Sequence, residues 1–170
     1  EQLLIQGGRV IDPASGLDAV QDLTIREGKI ASIGAHPDGF VPDRVIHAEG
    51  LVVAPGFVDL AARFREPGFE HKATIQSESF AAAAAGITTV CIPPDGVPIT
   101  DTPAVAQLIQ EIGHETQKVR LCPMGALTRG LKGKDLSEMR SLKDAGCRAV
   151  SNAYAPVQSA LILRRSMEYA

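Results

Sequence analysis

The sequence predicts an α/β fold in two parts, a small antiparallel β layer over residues 1–50 and four strand-helix (βα) units over residues 51–170. Strand-like runs separated by turn residues fill the first part. Strand-like and helix-like segments alternate in the second part, which is typical of parallel strands joined by right-handed crossovers. Three predicted helices end at a glycine just before the next strand, so the chain turns back quickly after each.

The first part contains four short segments with the character of strands, at residues 3–11, 19–26, 29–33 and 44–48. Turns rich in Gly, Pro and Asp separate these segments, at residues 12–16, 27–28 and 34–42. Short strands at this spacing predict a small β layer.

From residue 51 onward, strand-like segments alternate with longer helix-like segments. Its predicted strands are residues 51–60, 87–92, 119–123 and 147–151, and its predicted helices lie near residues 71–85, 103–112, 136–145 and 157–170. Cap signals support these helices: Gly86, Gly113 and Gly146 as left-handed C-caps, Thr102 before Pro103 at a helix start, and Asp135 with Glu138 as a capping box.

Four βα units are half of what a closed barrel requires. We therefore expect this chain to be a fragment, or the ordered half of a longer chain. The alternative is a free-standing four-stranded α/β domain, which would leave an apolar strand edge on each side of its sheet.

Composition excludes several classes of protein. A chain of 170 residues with 45% hydrophobic residues can bury a substantial core. The longest apolar runs, residues 51–58 and 80–85, are far shorter than the ~20 residues that span a bilayer. Basic residues are scattered and the net charge is -3, so no nucleic-acid footprint is expected. We expect a cytoplasmic protein whose partners are small molecules or other proteins.

The cysteines and histidines lack the spacing of a metal site. Three cysteines, Cys91, Cys122 and Cys147, are far apart and are expected to be buried, reduced thiols. The histidines lie in the β layer or on predicted helices, with no two at ligand spacing: His36, His47, His71 and His114. Surface or helix-terminal positions are expected for them.

Residues 59–68, at the end of the first predicted barrel strand, read Asp-Leu-Ala-Ala-Arg-Phe-Arg-Glu-Pro-Gly. This segment resembles the dihydroorotase branch of the amidohydrolases, in which the same frame reads Asp-Leu-His-x-His-x-Arg-Glu-Pro-Gly. The resemblance covers nearly all of the chain and continues through residues 69–72, 84–90 and 125–128. It implies the N-terminal half of a (β/α)8 TIM-like amidohydrolase barrel over residues 51–170, preceded by the N-terminal part of a small β-sandwich.

The resemblance also implies that the metal site is lost. The two zinc histidines of the family correspond to Ala61 and Arg63, and a protonated guanidinium cannot ligate zinc. An asparagine that helps to hold the substrate corresponds to Asp95. The Ser-Asp-Asp-Gly segment that supplies a metal-bridging carboxylate corresponds to residues 151–154, with Asn152 and Ala153 at the acidic positions. No catalytic residue, metal or other cofactor is expected.

Arg65 corresponds to the family arginine that pairs with the substrate carboxylate. Two interpretations stay open: an ion pair with Glu66 or Asp95 or a solvated loop position, and a vestigial carboxylate site formed together with Arg63.

The resemblance is closest to the inactive dihydroorotase-like chain that some bacteria pair with aspartate carbamoyltransferase. It implies a non-catalytic pseudoenzyme that holds the catalytic chain of that transferase in a hetero-oligomer, with no nucleic-acid or membrane partner. The alternatives are an active cyclic-amide hydrolase with an atypical metal site, and a pseudoenzyme that senses a ligand through Arg63 and Arg65.

Overall fold

The computed structural model describes residues 1–170 and divides into two compact units, Glu1–Pro55 and Gly56–Ala170. The first unit is a five-stranded sheet of β1 (Gln2–Asp12), β2 (Leu17–Arg26), β3 (Lys29–Ile33), β4 (Arg44–His47) and β5 (Val52–Val53). Its order is β3-β2-β1-β4, and β5 also pairs with β1. The four predicted strands are all present. The prediction of an antiparallel layer is wrong for β4, which runs parallel to β1. The additional strand β5 also runs parallel to β1.

The second unit alternates strands and helices. Its elements are β6 (Phe57–Asp59), α1 (Ile75–Ala84), β7 (Ile87–Ile92), α2 (Pro103–Thr116), β8 (Arg120–Pro123), β9 (Gly125–Ala126), a 3-10 turn (Arg129–Leu131), α3 (Met139–Asp144), β10 (Val150–Ser151) and α4 (Ala160–Tyr169). Strands β6, β7 and β8 form a parallel sheet in that order, and β9 pairs in parallel with β10. None of the helices could cross a membrane.

The predicted strand over residues 51–60 is wrong as a single element. Its first part is β5, which pairs with β1 in the first unit, and its second part is β6, which pairs with β7 in the second. Pro55 lies between them and has no N–H to donate to a ladder, so the strand stops there. The two units consequently divide after Pro55, later in the chain than the boundary predicted after residue 50.

The third predicted strand changes its partner part-way along. Up to Met124, whose N–H donates to the carbonyl of Ile92, the strand bonds to β7. From Gly125, whose N–H donates to the carbonyl of Ala149, it bonds to the β10 side. The four predicted strands therefore follow one another in space as well as in sequence, although the fourth is shorter than predicted.

Helices α1 and α2 cover one face of this sheet. Ile75 of α1, Val90 of β7 and Ile109 of α2 are fully buried in the same cluster, together with Phe64 and Ile92. Each such side chain stabilises the fold by roughly 1.5–3 kcal/mol relative to leaving it exposed. Because side chains alternate along a strand, Cys91, between Val90 and Ile92, faces away from these helices.

Two of the three predicted glycine caps are confirmed. Gly86 and Gly146 have φ of 79° and 94°. The third is wrong, because α2 continues to Thr116 and ends at Gln117, whose φ is 49°. Gly113 is instead buried inside the helix, where a Cβ would lie 2.6 Å from Cδ1 of Leu121. The glycine lets α2 approach β8.

The predicted helix starts have mixed outcomes. Thr102 is the N-cap of α2, with proline at the first turn, but its hydroxyl makes no capping hydrogen bond. The capping box of Asp135 and Glu138 is wrong, because α3 begins only at Met139. The Glu138 carboxylate instead accepts a hydrogen bond from Arg129 at 2.8 Å.

Candidate functional site

Segments that follow the C-terminal ends of β6, β7, β9 and β10 carry the residues that the sequence singled out. In parallel α/β folds, binding and catalytic groups collect at this end of the strands. Here the segments are residues 60–70, 93–100, 127–138 and 152–159.

Arg63 joins three of these segments. Its Nε donates to Oδ2 of Asp95 at 2.6 Å, and its Nη1 donates to the hydroxyl of Tyr154 at 2.7 Å. Its guanidinium carbon also lies 4.0 Å from the centroid of the Tyr154 ring. The side chains of Arg63 and Asp95 are only 19% and 27% exposed. One cation thus ties the loop after β6 to the loops after β7 and β10.

The contacts of Arg63 decide what this position can hold. The hydrogen bond that the guanidinium donates to Asp95 raises the pKa of Arg63 above its already high ordinary value, so the group stays protonated. A protonated guanidinium has no lone pair for a metal and repels a divalent cation. Ala61, at the other position matched to a zinc histidine, offers only a methyl group. These residues do not fit zinc, and no three His, Cys, Asp or Glu side chains are grouped as ligands elsewhere.

Asn152 is bonded at both ends of its amide. Its Oδ1 accepts from the hydroxyl of Thr128 at 2.6 Å, and its Nδ2 donates to the carbonyl of Ala155 at 2.8 Å. Thr128 is fully buried and its hydroxyl also accepts from the N–H of Gly133 at 2.9 Å. Every polar atom of the amide therefore has a partner, and the side chain holds the loop after β10 rather than facing a ligand.

Ala153 turns the chain directly after Asn152. Its φ is 49°, in the left-handed region, and its N–H donates to the hydroxyl of Ser151 at 3.0 Å. The turn presents Tyr154, which is 83% exposed, beside Arg63.

Arg65 lines the same small cavity as Arg63 and Asp95 but is bonded to neither of them. Its side chain is exposed and forms no ion pair, so the predicted pairing with Glu66 or Asp95 is not formed. Glu66 instead accepts a hydrogen bond from the backbone N–H of Ile75 at 2.6 Å, at the positive N-terminus of α1. The solvated-loop interpretation of Arg65 matches its surroundings. Its proposed companion Arg63 is already paired with Asp95.

The loops after β6 and β7 also pack directly on one another. Gly68 has φ of 103°, and a Cβ at this position would lie 2.5 Å from the Cβ of Val97. The N–H of Val97 donates to the carbonyl of Pro67 at 3.0 Å. A cavity of about 30 Å³, lined in part by Arg63, Asp95 and Pro67, remains among these loops. Such a volume holds about one water molecule.

The structure thus brings Arg63 and Asp95 together and leaves Ala61 and Arg65 outside their contact. Sequence reasoning missed Tyr154 and Thr128 as partners. The available signal for Tyr154 was a tyrosine at the glycine position of the matched Ser-Asp-Asp-Gly segment. For Thr128 no local signal existed, because its partner Asn152 lies 24 positions later.

Comparison with known proteins decides the family. Residues 50–170 match the model of a family described as dihydro-orotase-like. The chain belongs to the dihydroorotase-like family. A protein named dihydroorotase-like protein from Pseudomonas aeruginosa is 51% identical over 166 residues, which are 98% of this chain and 39% of the relative. A protein named dihydroorotase from Anaeromyxobacter sp. is 42% identical over 168 residues, 99% of this chain and 39% of that relative.

Solved structures give the same fold for this dihydroorotase-like chain. L-hydantoinase (dihydropyrimidinase) from Arthrobacter aurescens superposes with a TM-score of 0.74 at 25% identity, over 87% of this chain and 32% of that one. The mixed α/β fold is thereby confirmed as similar to that of a hydantoinase. The chain spans about 39% of the length of the relatives it matches.

Proposed function

We propose that this dihydroorotase-like chain belongs to a non-catalytic pseudoenzyme that acts as an assembly chain for aspartate carbamoyltransferase in pyrimidine biosynthesis. It works in the cytoplasm, in a hetero-oligomer with the catalytic chain of the transferase. The unit Gly56–Ala170 is the first half of a (β/α)8 barrel in this proposal. The observation that carries it is the Arg63 guanidinium, held by Asp95 and Tyr154 at a position matched to a zinc ligand.

The loss of catalysis follows from changes at two strand ends. A catalytic zinc usually needs three protein ligands and one open position. After β6, Ala61 supplies a methyl group and Arg63 a paired cation. After β10, the amide of Asn152 is occupied by Thr128 and Ala155. Restoring one position would leave the other unable to bind metal.

An assembly role is supported because the residues that determine the fold are kept, whereas the metal ligands are lost. Thr74 and Ser77 form a capping box at the start of α1, Gly86 and Gly146 close α1 and α3, and the core residues are buried. Drift without selection would erode these features along with the site. A stable obligate interface commonly buries about 2,000 Å² or more, for which the outer faces of a barrel offer room.

Purification from the source organism and deletion of the gene test the assembly role. We expect the transferase catalytic chain to copurify, and the deletion strain to show reduced transferase assembly and a pyrimidine requirement, because partners that bind only folded chains stabilise each other. A deletion strain with fully assembled, active transferase would contradict the proposal.

Metal analysis and activity assays test the absence of catalysis separately. We expect no stoichiometric zinc after dialysis, dihydroorotase activity at background, and no turnover in the double variant Ala61→His with Arg63→His. About one zinc per chain, or turnover in the unaltered protein, would favour an active cyclic-amide hydrolase. The relative named dihydroorotase makes that the second candidate.

A further inference from the structure

Arg63 carries a positive charge on a side chain that is partly buried. An anion and hydrogen-bond acceptors beside such a cation offset the cost of withdrawing it from water. Asp95 supplies the anion from a different loop, 32 positions away in the chain, and its carboxylate oxygen lies 2.6 Å from Nε. The carboxylate thus meets the guanidinium as a bound carboxylate ligand would.

The surroundings of the pair limit which other anion could take the place of Asp95. Tyr154 stacks against the guanidinium and contacts Nη1. The adjoining cavity of about 30 Å³ has apolar walls from Phe64, Ile92 and Ile109. Arg65 and Glu66 also line it. Removing the Asp95 carboxylate would enlarge this space by one small carboxylate, so acetate and formate match the vacated volume and the guanidinium geometry.

We propose that Arg63 forms an anion-binding site and that the carboxylate of Asp95, from the same chain, fills it. Asp95 thereby excludes external carboxylates. Loss of Asp95 opens the site to small monocarboxylates. The inference does not depend on the transferase partner. It also distinguishes a site filled by Asp95 from the ligand-sensing alternative, because a sensor must leave Arg63 free to bind its ligand in the unaltered protein.

Chemical rescue of Asp95→Ala in the full-length protein tests this inference. Thermal unfolding would be followed in rising sodium acetate or sodium formate, with sodium chloride at matched ionic strength as the control. We expect Asp95→Ala to melt several degrees below the unaltered protein and to regain at least half of that shift, with saturation, in acetate or formate. For the unaltered protein and for the double variant Arg63→Met with Asp95→Ala, acetate or formate should raise the melting temperature no more than sodium chloride does.

Three results would overturn the inference: an Asp95→Ala variant that does not respond to carboxylates, equal rescue by chloride, and rescue that persists without Arg63. If Asp95→Ala fails to fold, Asp95→Ser also removes the carboxylate, keeps a small polar side chain, and can be titrated with acetate by calorimetry. Binding that requires Arg63 and is absent from the unaltered protein supports the inference. Absence of binding to Asp95→Ser, or equal binding to the unaltered protein, overturns it.

Discussion

Arg63 and Tyr154 stand 91 positions apart in the chain, yet Nη1 of Arg63 lies 2.7 Å from the Tyr154 hydroxyl, and its guanidinium carbon lies 4.0 Å from the ring centroid. The contact joins the loop after the first strand of the second unit to the loop after the last. Because β6 and β10 belong to different sheets, this side-chain contact connects parts that no ladder joins.

The Arg63–Tyr154 contact should be measurable by a double-mutant cycle. We expect Arg63→Met and Tyr154→Ala to show a coupling free energy of about 0.5–1 kcal/mol, as for other exposed cation-π pairs, in urea unfolding. Tyr154→Phe should lower the free energy of unfolding less than Tyr154→Ala does, because phenylalanine keeps the aromatic ring. Tyr169→Ala, which alters an exposed tyrosine of α4, should show no coupling to Arg63. Additive effects of Arg63→Met and Tyr154→Ala would contradict the contact.

Restoring a carboxylate after β10 should destabilise the protein. In Asn152→Asp the carboxylate can still accept from Thr128, but it cannot donate to the carbonyl of Ala155 and places a negative charge beside it. We expect a loss of about 1–3 kcal/mol in the free energy of unfolding at neutral pH. Thr128→Ser, which keeps the hydroxyl, is the mild control. An Asn152→Asp variant as stable as the unaltered protein would show that the amide is not needed.

Close packing of the loops after β6 and β7 predicts a strong effect at Gly68. An alanine there would be strained by φ of 103° and would overlap Val97. Gly39 is the matched control, because its φ is 69° and a Cβ there would meet nothing within 4 Å. We expect Gly39→Ala to cost about 1–2 kcal/mol and Gly68→Ala at least about 2 kcal/mol more in chemical denaturation. Equal losses would mean that Val97 moves aside freely.

Asp22 should contribute stability that depends on pH. Its carboxylate accepts from the N–H of Gly7 at 2.9 Å and pairs with Nε2 of His36 at 2.9 Å, and these two bonds lower its pKa. The contribution is therefore fully present above the ordinary carboxyl pKa of about 4 and is lost as pH falls through the lowered value. The difference in melting temperature between the unaltered protein and Asp22→Asn should shrink below about pH 4. A difference that stays constant down to acid unfolding would refute this.

Cys147 should be the least reactive thiol in the native protein. It is only 6% exposed, and burial raises the pKa of its thiol to about 11. At pH 8 we expect iodoacetamide to label Cys147 at least about a hundredfold more slowly in the native protein than in urea, because thiolate is the reactive species. Peptide mass spectrometry would follow the rate, with half-buried Cys122 as the internal comparison. Similar native and denatured rates would contradict this burial.

Local signals in the sequence determined the alternation of strands and helices in the second unit. Gly86, Gly146 and the Thr102-Pro103 pair marked helix ends correctly, because cap preferences depend on backbone geometry within a few residues. The replacement of histidines by Ala61 and Arg63 was also readable, since it needs only the aligned motif. These features require no knowledge of distant partners.

Tertiary structure alone decided the features that depend on distant partners. Residues 51–60 split into two strands because each half pairs with a different sheet. Gly113 lies inside α2 because Leu121 requires a close approach. Asp95, rather than an external carboxylate, meets Arg63, and Tyr154 covers it, because folding brings together residues 32 and 91 positions apart. Local preference acts over a single turn or strand, whereas a partly buried charge takes whichever partner the folded chain places beside it.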